Sequence, residues 1–266
     1  MIIKIKDIED ERVDVYRNLR ERELSHIYEP DPGLFIVESP KIIERALTAG
    51  YQPVSVLMDE KMNDEHLALL AHLKNIPVYV TSYRELTKLT GYTLTKGAMC
   101  LMQRQKLLSL EELLQNAKRI AVMDNVENPT NVGAIMRSAA AMNMDGVILT
   151  NGCADPLYRR ASRVSMGTVF QIKWTIVHTG LYEKLHDYQF KIAGLALKDD
   201  AIDIRNKQLN QEEKLAVVLG NEGDGLSDES LQAMDYKVII PMHHGVDSLN
   251  VAGASAVAFY QLAHHE

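Results

Sequence analysis

RIAVMDNVENPTNVGAIMRSAAAMNMDGVILT, residues 119–150, is the stretch on which the fold turns. It begins with an apolar run, RIAVMD, and ends with another, GVILT at 146–150. Short continuous runs of aliphatic residues are what strands buried on both faces require. Between them the chain predicts a helix near 130–143. Strand, helix and strand in so short a span make a crossover unit of a parallel sheet.

Working outward, the same rhythm continues to the end of the chain. A helix is expected near 156–164, a strand at VFQIKW (169–174), a helix near 180–187 and strands at FKIAGLAL (190–197) and LAVVLG (215–220). A short helix near 228–234, a strand at KVIIP (237–241) and a last helix from about Ser248 complete it. Toward the N-terminus, GLFIVE (33–38), PVSVLM (53–58), IPVYV (76–80) and GAMCLM (97–102) read as strands, with helices at 40–50 and around 64–74. Pro40 suits a first helical turn and Gly50 a helix end. Polar, helix-prone QRQKLLSLEELLQNAK (103–118) separates the two halves. The expected division is an N-terminal α/β domain at 1–104, a linker at 105–118 and a second α/β domain, with a mostly parallel sheet, at 119–266.

A chain of 266 residues with 46% hydrophobic residues can supply two cores. Its 29 basic and 36 acidic residues give a formal charge of −7, which excludes holding nucleic acid by bulk charge and leaves a local patch as the means. Cys100 and Cys153 match no ligand spacing and read as reduced thiols of a cytoplasmic protein. The opening MIIKIKDIEDERVD has no apolar core of signal-peptide length. The uncharged run from Ser248 to Ala263 is shorter than the ~20 apolar residues of a membrane span. Adjacent histidines at 243–244 and 264–265 lack the i, i+4 spacing that puts two ligands on one helix face, so no metal is expected.

In an open parallel sheet, ligands bind beyond the carboxyl ends of the strands. Three such ends carry unusual residues: NVENPTNVGAIMRSAAAM (125–142), GNEGDGLS (220–227) and PMHHGVDSLNVAGASA (241–256). Singly they are ambiguous. Asn131 could be a turn or capping residue and Gly133 a close-packing one, while Gly220, Gly223 and Gly225 could simply permit positive φ. Their G-x-x-G-x-G order is not the dinucleotide fingerprint, and no GK[ST] follows, which disfavours an enzyme using a nicotinamide or a nucleoside triphosphate.

Together, and in this order, the three windows resemble the signature motifs of the SpoU (TrmH-like) family of the SPOUT superfamily of RNA methyltransferases. The resemblance rests on Asn131, Gly133 and Arg137, on LGNEGDGLS (219–227), and on IPM followed by SLNVA (248–252), with RVSMGTVFQI (163–172) similar to a basic stretch of that family. It covers roughly residues 119–264. More loosely, GLFIVESPKIIERAL (33–47) resembles the ribosomal-protein-like substrate-binding domain that precedes the catalytic domain in many members.

The resemblance implies a deep trefoil knot, an S-adenosylmethionine cofactor held largely by backbone groups, and methylation of a ribose 2′-hydroxyl in RNA, with ribosomal RNA favoured over transfer RNA. It carries over Gly220, Ile240 and Leu249 as cofactor-pocket residues, with Leu219, Asn221 and Met242 beside them. Asn131, Arg137, Glu222, Ser248 and Asn250 become the catalytic set. An arginine is a poor proton acceptor because guanidinium stays cationic, so Arg137 is expected to orient a phosphate or ribose and to stabilise oxyanion charge. His244 stands where relatives commonly have glycine. Arg159, Arg160 and Arg163, in an acid-free segment of a net acidic half, are expected to dock RNA phosphates. A homodimer is implied by the resemblance and by a last helix apolar on more faces than a surface helix needs. The rival reading is a catalytically inactive RNA-binding or ribosome-assembly factor of the same fold, against which the intact catalytic set speaks.

Overall fold

The computed structural model describes residues 1–17, 20–29, 31–90, 97–198, 200–221 and 223–263. In chain order the elements begin β1 (Ile2–Lys4), α1 (Asp14–Arg17), α2 (Glu21–His26), β2 (Leu34–Glu38), α3 (Pro40–Thr48) and β3 (Pro53–Asp59). Then come α4 (Asp64–His72), β4 (Val78–Thr81), α5 (Tyr83–Thr90), β5 (Ala98–Gln103), α6 (Leu110–Leu114), β6 (Arg119–Met123), α7 (Pro129–Ala141) and β7 (Gly146–Thr150). The remainder comprises α8 (Arg159–Val164), β8 (Trp174–Val177), α9 (Leu181–Asp187), β9 (Lys191–Leu195), β10 (Ile202–Asp203), α10 (Lys207–Gln211), β11 (Leu215–Leu219), α11 (Asp228–Ala233), β12 (Tyr236–Ile239) and α12 (Val251–Leu262). They fall into two compact units: Met1–Lys106 with Leu157–Phe170, and Leu107–Pro156 with Gln171–Glu266.

The first unit is built on a five-stranded sheet of order β1-β4-β3-β5-β2. Its β1, β4 and β3 run parallel, whereas β5 is antiparallel to both β3 and β2. One face packs Val13, Tyr16, Leu24 and Leu86 against Leu34, Ile36, Leu57, Met99 and Leu101. The Tyr16 hydroxyl, fully buried there, bonds Ser55 Oγ at 2.8 Å, and burial pushes its pKa well above the usual phenol value.

The inclusion of residues 157–170 in this unit departs from the expected division, which left them with the second domain. Phe170 stacks edge-on against Tyr51 at 5.1 Å between centroids and lies 6.0 Å from Phe35. That aromatic contact also explains why VFQIKW is not a strand: Val169 and Phe170 are buried in a short 3-10 turn, and β8 starts only at Trp174. The stretch 105–118 departs as well. Leu113, Leu114 and Ala117 are core residues of the second unit, so α6 is a packed helix whose polar outer face disguised it as a linker.

The second unit carries a seven-stranded sheet of order β10-β12-β9-β11-β6-β7-β8, parallel at every pairing. Helices cover both faces, as the unbroken aliphatic strands require. On one face Leu113, Leu114, Leu181 and Leu185 pack against Ile120, Val122, Ile148, Ile192 and Val218; α7 and α12 pack against each other and reach β7 and β11 respectively. β11 pairs with both β6 and β9, so the sheet's strand order reverses beside it.

One residue of the first unit holds a conformation its side chain opposes. Ser39, between β2 and α3, has φ 81° and ψ 133°, and it is pinned by its N–H on Ala98 O at 2.9 Å and its carbonyl on Ile42 and Ile43 N–H. A non-glycine residue held there costs roughly 1–3 kcal/mol. Ser39→Gly should therefore raise unfolding stability by about 1 kcal/mol after the added chain entropy of glycine is subtracted. Denaturant titration should show a higher midpoint at unchanged slope.

Candidate functional site

The carboxyl ends of β9, β11 and β12 open onto a cavity of about 460 Å³. From β11 come Leu219, Gly220 and Asn221; from the end of β12 come Ile240 and Met242; from the approach to α12 come Ser248, Leu249 and Asn250. Every residue carried over for a cofactor lines this one cavity. Residues 195–198, from the last residue of β9 onward, also line it and were missed by sequence reasoning. Their signal was the strand end at FKIAGLAL, which points to a pocket only once β9 is known to pair with both β11 and β12.

The loop after β11 closes on itself. Asn221 N–H donates to Gly225 O at 2.8 Å and Gly225 N–H returns to Asn221 O at 3.0 Å. A Cβ on Gly220 would lie 2.4 Å from Gly225 O and 2.7 Å from Leu226 N. Glycine is thus required at 220 by the loop's own backbone, and any larger residue there deforms the pocket wall before it meets a ligand. Asn221 serves twice: its Oδ1 accepts from Gly223 N–H at 2.7 Å, and its Nδ2 donates to Asn125 O at 2.9 Å. The second bond joins the pocket loop to the segment that leads into α7. Glu222 lies outside the described residues.

Asn131 and Arg137 sit on α7 and are not among the lining residues. Pro129 and the Asn128 cap, whose side chain accepts from Thr130 N–H at 2.9 Å, fix where this helix starts. Asn131 is buried, whereas Arg137 is exposed and bonds no side chain among the described residues. Asn250 caps α12, its Oδ1 accepting from Ala252 N–H at 2.9 Å; that bond orders the junction between the β12–α12 loop and the helix. Ser248 is exposed at the pocket rim. His244 adopts φ 59°, followed by Gly245 at 73°. The loop keeps a left-handed shape at the position where a glycine was expected, and histidine is one of the residue types that tolerate it.

The arginine strip is redistributed by the fold. Arg159 Nη1 lies 3.6 Å from Glu38 Oε1 and Nε lies 3.8 Å from Glu21, while Arg163 Nη1 donates to Glu38 Oε2 at 3.3 Å. Glu38 is only 5% exposed, and leaving such a carboxylate unpaired would be costly. Arg159 and Arg163 are therefore paired with acids of the first unit while remaining partly exposed. Arg160 remains exposed, as does Lys173.

Burial raises the Cys153 thiol above its ordinary pKa, which leaves it unsuited to nucleophilic work. Among the described residues no group of three His, Cys, Asp or Glu side chains is placed to hold a metal ion. No helix among them is long and apolar enough to cross a membrane.

Residues 118–260 match the SpoU rRNA Methylase family. An uncharacterized tRNA/rRNA methyltransferase of Mycobacterium bovis is 31% identical over 96% of this chain and 89% of its own length. A 23S rRNA (guanosine-2′-O-)-methyltransferase of Acinetobacter baylyi is 30% identical over 72% of this chain and 80% of its own. The fold is similar to the crystal structure of an RNA 2′-O ribose methyltransferase, with a TM-score of 0.81 and 24% identity over 98% of both chains. An AdoMet-bound rRNA methyltransferase from Sinorhizobium meliloti superposes at 0.79 with 20% identity, over 98% of this chain and 97% of that one. The family match spans the strand ends, the closed loop after β11 and the pocket they enclose, and on that extent the chain belongs to the SpoU rRNA methylase family.

Proposed function

We propose that this protein transfers a methyl group from S-adenosylmethionine to a ribose 2′-hydroxyl of structured RNA, with ribosomal RNA as the favoured class. The observation that carries the reading is the convergence of Leu219, Gly220, Asn221, Ile240, Met242 and Leu249 on one cavity, beside a loop bonded to the segment that leads into α7. The ribosomal preference rests on the names of the 23S rRNA guanosine-2′-O-methyltransferases of A. baylyi and Bacillus subtilis, the latter 32% identical over 57% of this chain and 60% of its own.

The pocket fits the cofactor. Its volume lies within the roughly 300–1,000 Å³ of small-molecule sites, with aliphatic walls from Leu195, Leu219, Val238 and Ile240 for an aromatic base. Lys198, Asp224 and Asp247 at its edge suit an amino-acid zwitterion. S-adenosylmethionine supplies an electrophilic methyl group when bound. The chain's own residues then have the tasks of orientation and charge: backbone groups of 219–221 and Leu249 hold the adenosine, and Asn131 and Ser248 orient the nucleotide. Arg137, exposed and uncommitted, grips a phosphate or ribose and stabilises charge on the attacking oxygen. Arg160, rather than Arg159 and Arg163, is the member of the strip left for phosphate docking.

The further parts of the reading are a knotted second domain, an RNA-binding first domain and a cytoplasmic homodimer. The knot is supported by β11 pairing between β6 and β9 while the chain leaves β12, on the far side of β9, and returns to set α12 on α7. The dimer is supported by the exposed stripe Gly253, Val257 and Tyr260 on α12, the last 64% exposed.

Leu249→Ala removes apolar surface from an exposed rim residue, so calorimetry should show S-adenosylmethionine binding weakened about tenfold, ~1.4 kcal/mol, at unchanged thermal stability. Undiminished affinity would place the cofactor elsewhere. Arg137→Ala should abolish transfer to RNA while leaving cofactor affinity as it was, and lysine should not restore it, since it lacks the planar fork; near-normal transfer by the alanine variant would make Arg137 structural. Sedimentation at micromolar concentration should give twice the 29.9 kDa chain mass, and a monomer would defeat the dimer.

A further inference from the structure

Asp124, the residue after β6, is a carboxylate only 2% exposed. Its Oδ2 accepts the Ser227 N–H at 2.8 Å and the Ser230 hydroxyl at 2.5 Å, and its Oδ1 faces the Thr150 hydroxyl at 3.5 Å. With Ser230 donating to Asp124, the Ser230 oxygen is left to accept from the Tyr182 hydroxyl, and it lies 2.7 Å from Ser227 Oγ. The Asp124 N–H meanwhile donates to Leu219 O at 2.8 Å. Thr150 Oγ1 also receives the Asn125 N–H at 3.0 Å.

These bonds gather three strand ends. Ser227 and Ser230 follow directly on Gly225 and Leu226, which line the pocket; Thr150 ends β7; Asp124 and Asn125 begin the segment that enters α7, where Arg137 sits. Hydroxyl and amide donors, rather than a cation, satisfy the carboxylate among the described residues. Such charge-assisted bonds are short and directional, and a buried donor that loses its acceptor is costly. An apolar residue could fill the space, but it would leave the pocket loop free to shift against α7.

We infer that Asp124 is a positioning residue for methyl transfer: its carboxylate fixes the pocket wall at 225–230 in register with the start of α7, and so sets the bound methyl donor against the RNA-facing Arg137. This rests on the function proposed above. It assigns to Asp124 an effect on the reacting geometry in addition to its share in building the pocket.

The variants are Asp124→Ala, Asp124→Asn and Ser230→Ala, each checked for folding by circular dichroism and thermal melting. Cofactor affinity is measured by calorimetry, and single-turnover methylation is measured on total RNA from cells lacking the protein, at saturating cofactor and RNA. Misplacement by about an ångström costs on the order of 100-fold in rate. Asp124→Ala should therefore lose roughly 10- to 100-fold in the saturated rate. Asp124→Asn keeps an oxygen for Ser227 and Ser230 and should recover to within a few-fold, while Ser230→Ala should fall between the two. If Asp124→Ala does not fold, Ser230→Ala decides alone. A folded variant that regains the wild-type rate once both substrates saturate would overturn the inference, because the carboxylate would then only build the pocket. Wild-type protein that neither binds S-adenosylmethionine nor methylates this RNA would remove the functional reading itself, and the inference with it.

Discussion

Parallel pairing of β12, β9, β11 and β6 is the constraint on which the second unit depends. In a parallel sheet every carboxyl end emerges on one edge, so the loops after these strands have to share one crevice. Here the register is specified by burial on both faces: β6 and β11 are fully buried from end to end. Sliding either strand by one residue would exchange the side chains facing α6 and α9 with those facing the opposite helices. The pocket is a consequence of that register, since its walls come from strand ends that are far apart in sequence.

Opposite edges of the sheet are held by two buried charges with different partners. At the amino edge, Arg119 is 1% exposed, and among the described residues its guanidinium donates to carbonyl oxygens: Leu262 at 2.8 Å, Glu212 at 2.8 Å, and Lys118 and Glu213 at 3.0 Å. Burial lowers its pKa, and the nearby Asp145 and Glu212 act in the other sense. It ties the end of α12 to the starts of β6 and β11. At the carboxyl edge Asp124 collects donors from the loops around the pocket. α12 spans from one edge to the other, with its N-terminal approach in the pocket wall and its last residue's carbonyl, that of Leu262, accepting from Arg119. The helix that walls the pocket is thereby anchored at the sheet's opposite edge, away from the exposed loop that precedes it.

Charge illustrates the distinction between composition and placement. Residues 157–173 contain no acid in sequence, yet two of their arginines meet Glu38, more than a hundred residues earlier. The same segment gives Phe170 to an aromatic cluster with Phe35 and Tyr51. A count along the chain sees neither acid nor ring. What survives as a free cation is decided by folding.

Local sequence chemistry was enough to read a mostly parallel α/β sheet and to mark the strand ends whose residues now line one cavity. Unbroken aliphatic strands such as LAVVL and RIAVM admit little but a parallel sheet covered on both faces, and loop glycines with Asn221 and Asn250 mark strand ends by local chemistry that needs no distant partner. Tertiary structure alone decided which strand ends meet, because pairing order is a matter of long-range register: residues 195–198 joined the pocket only when β9 took its place between β11 and β12. It also decided the role of buried polar side chains. Asp124 and Arg119 read as ordinary strand-end residues in the sequence, and their importance arises from partners about 25 to 140 residues away in the chain, at distances where only the folded state can satisfy a buried charge.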